Sequence, residues 1–172
     1  MRIIPLLAGV SFLAVSASTF AQGLSTDIHW NQCQSNATQE SIDGCSAVIA
    51  SGNESLLALA QAFTFRGNAY MRAGNPERAA LDFRQASRFD GQKLAPVLGY
   101  GLALYAQGRY LQALDVLNNA VERNPRYAEA IYARGLVKRS LGENEEANDD
   151  FSAARNVSAD VTRSLADLGI RL

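Results

Sequence analysis

Histidine and cysteine are almost absent from this sequence, which contains only His29, Cys33 and Cys45. A single histidine cannot build a multi-histidine metal site, and its place near the start of the first helical segment does not suit a catalytic triad. The two cysteines have eleven residues between them, unlike the Cys-x-x-Cys pair of thiol oxidoreductases. The acidic run Glu143–Asp150 falls in a predicted helix, whereas a calcium loop needs a turn with glycine. We therefore expect no enzymatic activity, no metal site and no cofactor.

An excess of basic residues is also lacking. The chain has 16 lysines and arginines against 17 aspartates and glutamates, which gives a formal net charge of −1 at pH 7. Nucleic-acid-binding proteins normally carry a strong basic excess, so we expect no nucleic-acid partner. After residue 21 no apolar run approaches the roughly 20 residues that span a bilayer, so we expect no membrane span. The remaining length suffices for one domain with its own core.

The first 21 residues have the pattern of a secretory signal peptide. Arg2 supplies a positive charge, Ile3–Val15 is a short apolar stretch, and small residues precede a cut that we expect after Ala21. The apolar stretch is shorter than the roughly 20 residues of a membrane span. We therefore predict a periplasmic or secreted protein without a membrane anchor. In such an oxidising compartment, Cys33 and Cys45 form a disulfide by default.

The central feature of the sequence is a repeat of 34 residues. Small and large apolar residues recur at this interval without insertion in five columns: Gly67, Gly101 and Gly135; Gly74, Gly108 and Gly142; Ala79, Ala113 and Ala147; Phe83, Leu117 and Phe151; Ala86, Ala120 and Ala154. Each repeat contains two stretches with helical periodicity, which are separated at the second glycine. A glycine inside a helix costs roughly 1 kcal/mol relative to alanine, and close packing of two helices at that position would offset the cost.

The boundary between the two stretches carries signals that end one helix and start the next. In the first complete repeat, Gly74 can adopt the left-handed conformation that ends a helix. Asn75, Pro76 and Glu77 then provide an N-cap, a first-turn proline and an acidic residue near the positive helix end. Each repeat is therefore predicted to be a pair of antiparallel helices.

These columns resemble the tetratricopeptide repeat, a helix–turn–helix unit of 34 residues. Units of that family would begin at residues 60, 94 and 128, which places the first glycine column at their eighth position. Lys138 departs from the family's tyrosine, and the closing proline survives only as Pro125, so the third unit is the least typical. The resemblance implies an all-α, right-handed superhelix that contains three units, at 60–93, 94–127 and 128–161.

The same register extends to both sides of the three units. It implies that residues 26–59 form a degenerate first unit, in which Cys33 takes the glycine column and Cys45 takes the first alanine column. Because these columns face each other between paired helices, the resemblance implies a disulfide at this contact. Residues 162–172 are expected to form a C-terminal capping helix that ends at Gly169. Its leucines would cover the apolar end that the last unit leaves open: Leu165 and Leu168.

In this family, the first helix of each unit lines a concave face that binds partners. Carrying over the face-lining positions predicts an apolar patch with a polar rim: Asn68, Met71, Arg72, Leu98, Leu102, Tyr105, Tyr132, Leu136 and Arg139. Such a patch is typical of a binding surface, and the two tyrosines are its expected anchors. The alternative is that these residues simply pack against neighbouring helices.

The resemblance therefore implies a protein–protein interaction module. We expect it to be exported and to bind a protein or peptide partner in the concave groove, as an adaptor for envelope enzymes or assemblies. The alternative is a self-assembling structural protein, in which the apolar patch pairs with a second copy to give a homo-oligomer.

Overall fold

The structure, a computed structural model, describes residues 27–170. Within this range every regular element is a helix: α1 at 27–33, α2 Thr38–Ala50, α3 Leu56–Arg72, α4 Pro76–Phe89, α5 Ala95–Ala106, α6 Tyr110–Arg123, α7 Ala128–Leu141, α8 Asn144–Val157 and α9 Val161–Asp167. The predicted all-α fold is confirmed. None of these described helices has the length and apolar character needed to cross a membrane. The predicted signal peptide, residues 1–21, lies outside the described residues.

The helices form a stack of pairs. From α2 to α8 each helix packs against the next one, and the first helices α3, α5 and α7 also lie side by side. The turn within each complete pair contains a glycine with positive φ, at +70° for Gly74, +74° for Gly108 and +88° for Gly142. Asn75 caps α4, because its side-chain oxygen accepts a hydrogen bond from the Arg78 backbone N–H at 3.2 Å. The helix-ending and helix-starting signals in the sequence are therefore confirmed.

The glycine column marks the places where paired helices approach most closely. An ideal Cβ built on Gly67 would lie 2.8 Å from the Phe83 ring, which is fully buried. On Gly101 it would lie 2.7 Å from Leu117, and on Gly135 it would lie 2.7 Å from Phe151. A side chain at these positions would overlap the large apolar residue of the partner helix. Close packing therefore explains why each first helix contains a glycine.

The first helical pair, α1 and α2, is joined by a disulfide between Cys33 and Cys45. An ideal Cβ on Gly44 would lie 2.5 Å from the backbone nitrogen of Cys33, so a side chain at this position would collide with α1. The buried Ser41 hydroxyl donates a hydrogen bond to the Cys33 carbonyl oxygen at 2.8 Å. The two helices are therefore in close contact where the disulfide joins them.

Buried aspartates link the two helices of the first and third complete pairs. Asp82 of α4 accepts two hydrogen bonds from Arg66 of α3, at 2.7 and 2.9 Å. Asp150 of α8 pairs with Arg134 at 2.6 Å and with Lys138 at 2.9 Å, both on α7. Burial alone would raise the pKa of Asp150, but hydrogen bonds from these two cations hold its pKa below the ordinary value. Lys138, which departs from the family's tyrosine, is thus explained as an ion-pair partner of Asp150.

The last helix does not lie where the sequence predicts it. Gly169 ends α9 with a φ of +85°, and the Ile170 N–H donates to the Leu165 carbonyl oxygen at 3.2 Å, as in a Schellman motif. However, α9 packs against α7 and makes no comparable contact with α8, the helix that precedes it. The prediction that Leu165 and Leu168 cover the end of the last unit is therefore wrong. Instead, α9 lies on the face formed by the first helices.

Candidate binding surface

The helices α3, α5 and α7 form one face of the stack, which we call the concave face. Residues that the sequence assigned to this face are brought together there. Asn68 of α3, Leu98 of α5 and Glu129 of α7 line a single cavity of about 220 Å³. Arg72 of α3 and Tyr105 of α5 line a neighbouring cavity. The two cavities thus bring together residues of α3 and α5 that the family register assigns to one face.

The apolar part of the predicted patch is not on the surface. Leu98 and Leu136 are 2% exposed, Leu102 is 1% exposed and Met71 is 7% exposed. All four side chains belong to the main apolar core. The prediction that they form an exposed patch is therefore wrong for this conformation. For these four residues the alternative holds, that they pack against neighbouring helices.

The segment that covers the concave face is residues 161–170, which we call the C-terminal strap. Ser164 and Leu168 of the strap line the 220 Å³ cavity together with Leu98. Leu165 is fully buried and belongs to the same apolar core as the covered leucines. The strap therefore lies on the part of the concave face where the family resemblance implies a partner.

The end of the strap reaches the C-terminal end of α3. An ideal Cβ on Gly169 would lie 3.0 Å from the backbone nitrogen of Arg72 and 3.0 Å from the carbonyl carbon of Met71. Ile170 is buried, and it lines a cavity with Arg72 and Tyr105. The strap thus runs from α7 to α3, with its backbone directly against α3 at Gly169.

The predicted aromatic anchors have different environments. The ring of Tyr105 lies 5.8 Å from the ring of Tyr110, whereas the ring of Tyr132 lies 4.7 Å from the buried ring of Phe151. The guanidinium of Arg139 lies 5.1 Å from the centre of the same Phe151 ring. Both tyrosines are half-buried, so neither is a free anchor on the surface. Tyr132 and Arg139 pack against the core of their own helix pair, and Tyr105 lies at the edge of the strap.

Acid–base chemistry is limited in the 220 Å³ cavity. Tyr127 and Glu129 line it, and burial, followed by the charge of Glu129, raises the pKa of Tyr127 to about 12. The phenol is therefore neutral at physiological pH. Among residues 27–170, no group of three or more histidine, cysteine, aspartate and glutamate side chains is placed to hold a metal ion.

An open part of the concave face lies at its N-terminal end, beyond the strap. It is a cavity of about 520 Å³ with a mixed apolar and polar lining, which we call the open cavity: Gln34, Leu57, Ala60, Gln61, Thr64, Phe65, Asp90, Lys93, Ala95 and Pro96. Leu57 is 60% exposed, and so is its neighbour Leu56. These two leucines are not among the residues that the sequence predicts for the binding surface. The signal was present, because two adjacent leucines follow the helix-capping residue Ser55.

The comparisons with known proteins agree with the repeat. A family model described as a TPR repeat matches residues 101–142. The chain is 30% identical to Tetratricopeptide repeat protein 6 from Homo sapiens over 100 residues, which cover 56% of this chain and 19% of that protein. It is also 30% identical to FK506-binding protein-like from Mus musculus over 120 residues, which cover 65% and 35% of the two chains. The chain thus spans about a fifth to a third of the length of these curated relatives.

Solved structures show the same fold at low sequence identity. A crystal structure of MamA is 22% identical, with a TM-score of 0.66 over 83% of this chain and 81% of that chain. A MamA RS-1 double mutant is 17% identical, with a TM-score of 0.66 over 85% and 82% of the two chains. The repeat model, the 34-residue columns and the stacked helix pairs agree with each other. The chain therefore contains tetratricopeptide repeats, and its stacked helix pairs support a protein–protein interaction module.

Proposed function

We propose that this protein is an exported adaptor that binds a polypeptide segment in the open cavity at the N-terminal end of its concave face. The observation that carries the proposal is the exposure of Leu57 at the wall of a cavity of about 520 Å³. A leucine that is 60% exposed beside a concave surface gains free energy when a partner covers it. The strap already occupies the part of the predicted groove that contains Asn68, Arg72 and Leu98.

The lining of the open cavity fits a peptide. Leu57, Phe65 and Pro96 offer apolar contacts, which supply most of the affinity in protein interfaces. Gln61 can donate to and accept from a peptide backbone, and the Lys93 ammonium can donate to a carbonyl or carboxylate oxygen. The partner is therefore a segment with at least one large apolar side chain. In this role the protein acts by binding and not by catalysis.

The proposal of export rests on the signal-like residues 1–21 and on the pairing of Cys33 with Cys45. A disulfide persists in the periplasm or outside the cell, whereas cytosolic thiols are kept reduced. Intact mass spectrometry of the protein expressed in a host with its own N-terminus tests the location. A mass that corresponds to cleavage after Ala21, with both thiols oxidised, is expected. A product that retains residues 1–21 and has two free thiols would contradict export.

A peptide array tests the binding surface. Peptides selected by the unmodified protein should bind the Leu57→Glu variant at least tenfold more weakly, because the charge prevents apolar contact. The matched control is Leu81→Glu, since Leu81 is 55% exposed but does not line the open cavity. Equal binding by both variants would show that peptides bind elsewhere. Dimerisation in light scattering that Leu57→Glu abolishes would assign the surface to a second copy and would overturn the proposal of a separate partner.

A further inference from the structure

We propose that the part of the concave face under the strap is a second, concealed binding site for a short amphipathic helix. In this proposal residues 161–170 occupy the site as an internal ligand, which a helix from a partner protein can displace. The inference does not rest on the open cavity, because it concerns only the covered part of the concave face. The occupant seen in the structure defines the chemistry of the ligand.

The contacts of the strap show which side chains the site accepts. Val161, Leu165 and Leu168 follow one another at intervals of four and three residues, so they lie on one side of a helix. Val161 and Leu165 are fully buried, and Ile170, after the glycine turn, is 6% exposed. A ligand of this site is therefore a helix of about two turns with apolar residues at this spacing. An apolar residue just after its end would take the place of Ile170.

The strap is attached to the rest of the fold differently from every other helix in the stack. Each helix from α3 to α7 packs against the helix before it and the helix after it in the chain, and α8 packs against α7. By contrast α9 lies against α7 without comparable contact with α8, to which residues 158–160 connect it. Removing α9 from the concave face therefore leaves the contacts between consecutive helices, from α2 to α8, in place. Because repeat stability is largely a nearest-neighbour property, the stack can persist when the strap leaves.

The covered surface has the composition of a binding site and not only of a core. Leu98 of α5 lies beside the strap, and it belongs to one apolar core with Leu102, Leu136 and the strap residues Val161 and Leu165. A cleft of about 220 Å³ that is open to solvent remains beside the strap, lined by Ser164, Leu168 and residues of three first helices. A partner helix with longer side chains at these two positions can fill the space that the strap leaves empty.

A substitution at Gly169 loosens the strap without changing the residues of the concave face that the strap covers. Alanine at this position would be strained by the φ of +85°, and its Cβ would lie 3.0 Å from two backbone atoms of α3. The matched control is Gly108→Ala, since Gly108 has a φ of +74° but an ideal Cβ there meets nothing within 4 Å. Both variants carry the strain of a positive φ. Only Gly169→Ala also brings a methyl group into unusually close contact with the backbone of α3.

The probe for the test is a fluorescent peptide with the sequence of residues 158–172, added to the full-length protein. A closed strap reduces the apparent affinity of a competing ligand by the fraction of molecules that are open. We therefore expect the peptide to bind Gly169→Ala at least tenfold more tightly than it binds either the unmodified protein or Gly108→Ala. A peptide with Leu165→Asp should not bind. Equal affinity for the folded Gly169→Ala and Gly108→Ala proteins, or binding of the Asp-containing peptide, would overturn the proposal.

Hydrogen exchange of the unmodified protein provides a test that does not depend on the folding of a variant. If the strap opens by itself, amides of α9 should exchange at least tenfold faster than amides of α7, at denaturant concentrations where the stack is intact. If α9 exchanges only when the whole stack unfolds, the strap is a permanent part of the core and the proposal is wrong. The Leu57→Glu variant separates the two proposals, because it should not change binding of the strap peptide to Gly169→Ala.

Discussion

The contact between Gly99 and Phe83 gives a quantitative prediction about how adjacent helix pairs are held together. An ideal Cβ on Gly99 would lie 2.5 Å from Cε1 and 2.6 Å from Cζ of the Phe83 ring. Gly67 approaches the same ring, with an ideal Cβ 2.8 Å from Cε1. The ring is fully buried between α3 and α5 and therefore cannot move away from a methyl group at residue 99.

Two effects oppose each other in the Gly99→Ala variant. Overpacking of a well-packed core costs about 1–3 kcal/mol, and the confined ring places this site in the upper half of that range. Alanine gains about 1 kcal/mol over glycine in a helix. We therefore expect a net decrease of about 1–2 kcal/mol in the free energy of unfolding. The expected sign differs from that of most Gly→Ala changes at unstrained helical positions.

A double-mutant cycle with Phe83→Leu tests the cause of this loss. Leucine has no ring to collide with the new methyl group, so Gly99→Ala should be neutral or stabilising by up to about 1 kcal/mol in that background. Urea unfolding followed by far-ultraviolet circular dichroism measures all four proteins, and comparison of the m-values checks that the same structure unfolds. Gly91→Ala is a control, because an ideal Cβ there meets only the Ser87 carbonyl oxygen, at 3.6 Å. Equal destabilisation by Gly99→Ala in both backgrounds would refute the role of the ring.

Three further predictions concern other parts of the stack. Reduction of the Cys33–Cys45 disulfide should increase hydrogen exchange in α2 much more than in α5 to α8. The reason is that the stability of a repeat depends mainly on its direct neighbours. A uniform increase would contradict this prediction. Asp150→Asn should lower stability by about 1–3 kcal/mol, since it leaves Arg134 and Lys138 unpaired at a partly exposed site. Because the folded-state pKa of Asp150 is lowered, its contribution is present above the unfolded carboxyl pKa of about 4 and is lost as the pH falls through the lower folded value. The unmodified protein should therefore lose more stability than Asp150→Asn in acid titrations, and parallel curves would refute the ion pair. Finally, Tyr132→Ala should lower the free energy of unfolding by about 1–2 kcal/mol, because the contact with Phe151 is lost. Calorimetry should show a smaller decrease for Tyr105→Ala.

Local rules explain why most of the fold could be predicted from the sequence. Gly74 ends α3 because only glycine adopts its φ of +70° without strain, and Asn75 caps α4 with its side chain. The column of Gly67 could be interpreted because glycine destabilises a helix, and close approach of a partner helix at each repeat offsets that cost. These signals depend on a few neighbouring residues. They therefore predict helix ends and close helix contacts without knowledge of the rest of the fold.

The open cavity was missed because the family register begins too late in the first complete unit. Counting from the glycine column starts this unit at residue 60, whereas α3 begins at Leu56. The extra turn is stabilised by Ser55, whose side chain accepts a hydrogen bond from the Ala58 backbone N–H at 3.2 Å. It carries Leu57 into the open cavity, at a position for which the repeat has no column. The helical period of the sequence already includes this turn, because it begins at Leu56, but the groove positions are counted from residue 60.

The position of the strap can be explained by the polarity of the second helices, because positions that are apolar or buried in earlier units are polar and exposed in α8. Equivalent positions on the second helices are Ala80, Leu114 and Asn148, and only the last of these is exposed. Similarly, Ser87 and Val121 are half-buried, whereas their equivalent Arg155 is exposed on α8. At these two positions the outer side of α8 is therefore polar and offers less apolar surface for a capping helix to bury than α4 or α6 would. The first helices carry apolar residues such as Leu98 on the concave face, so the apolar side of α9 gains free energy by packing there. In this chain the helix α9 therefore packs in the groove and not on α8, and it occupies the groove as an internal ligand.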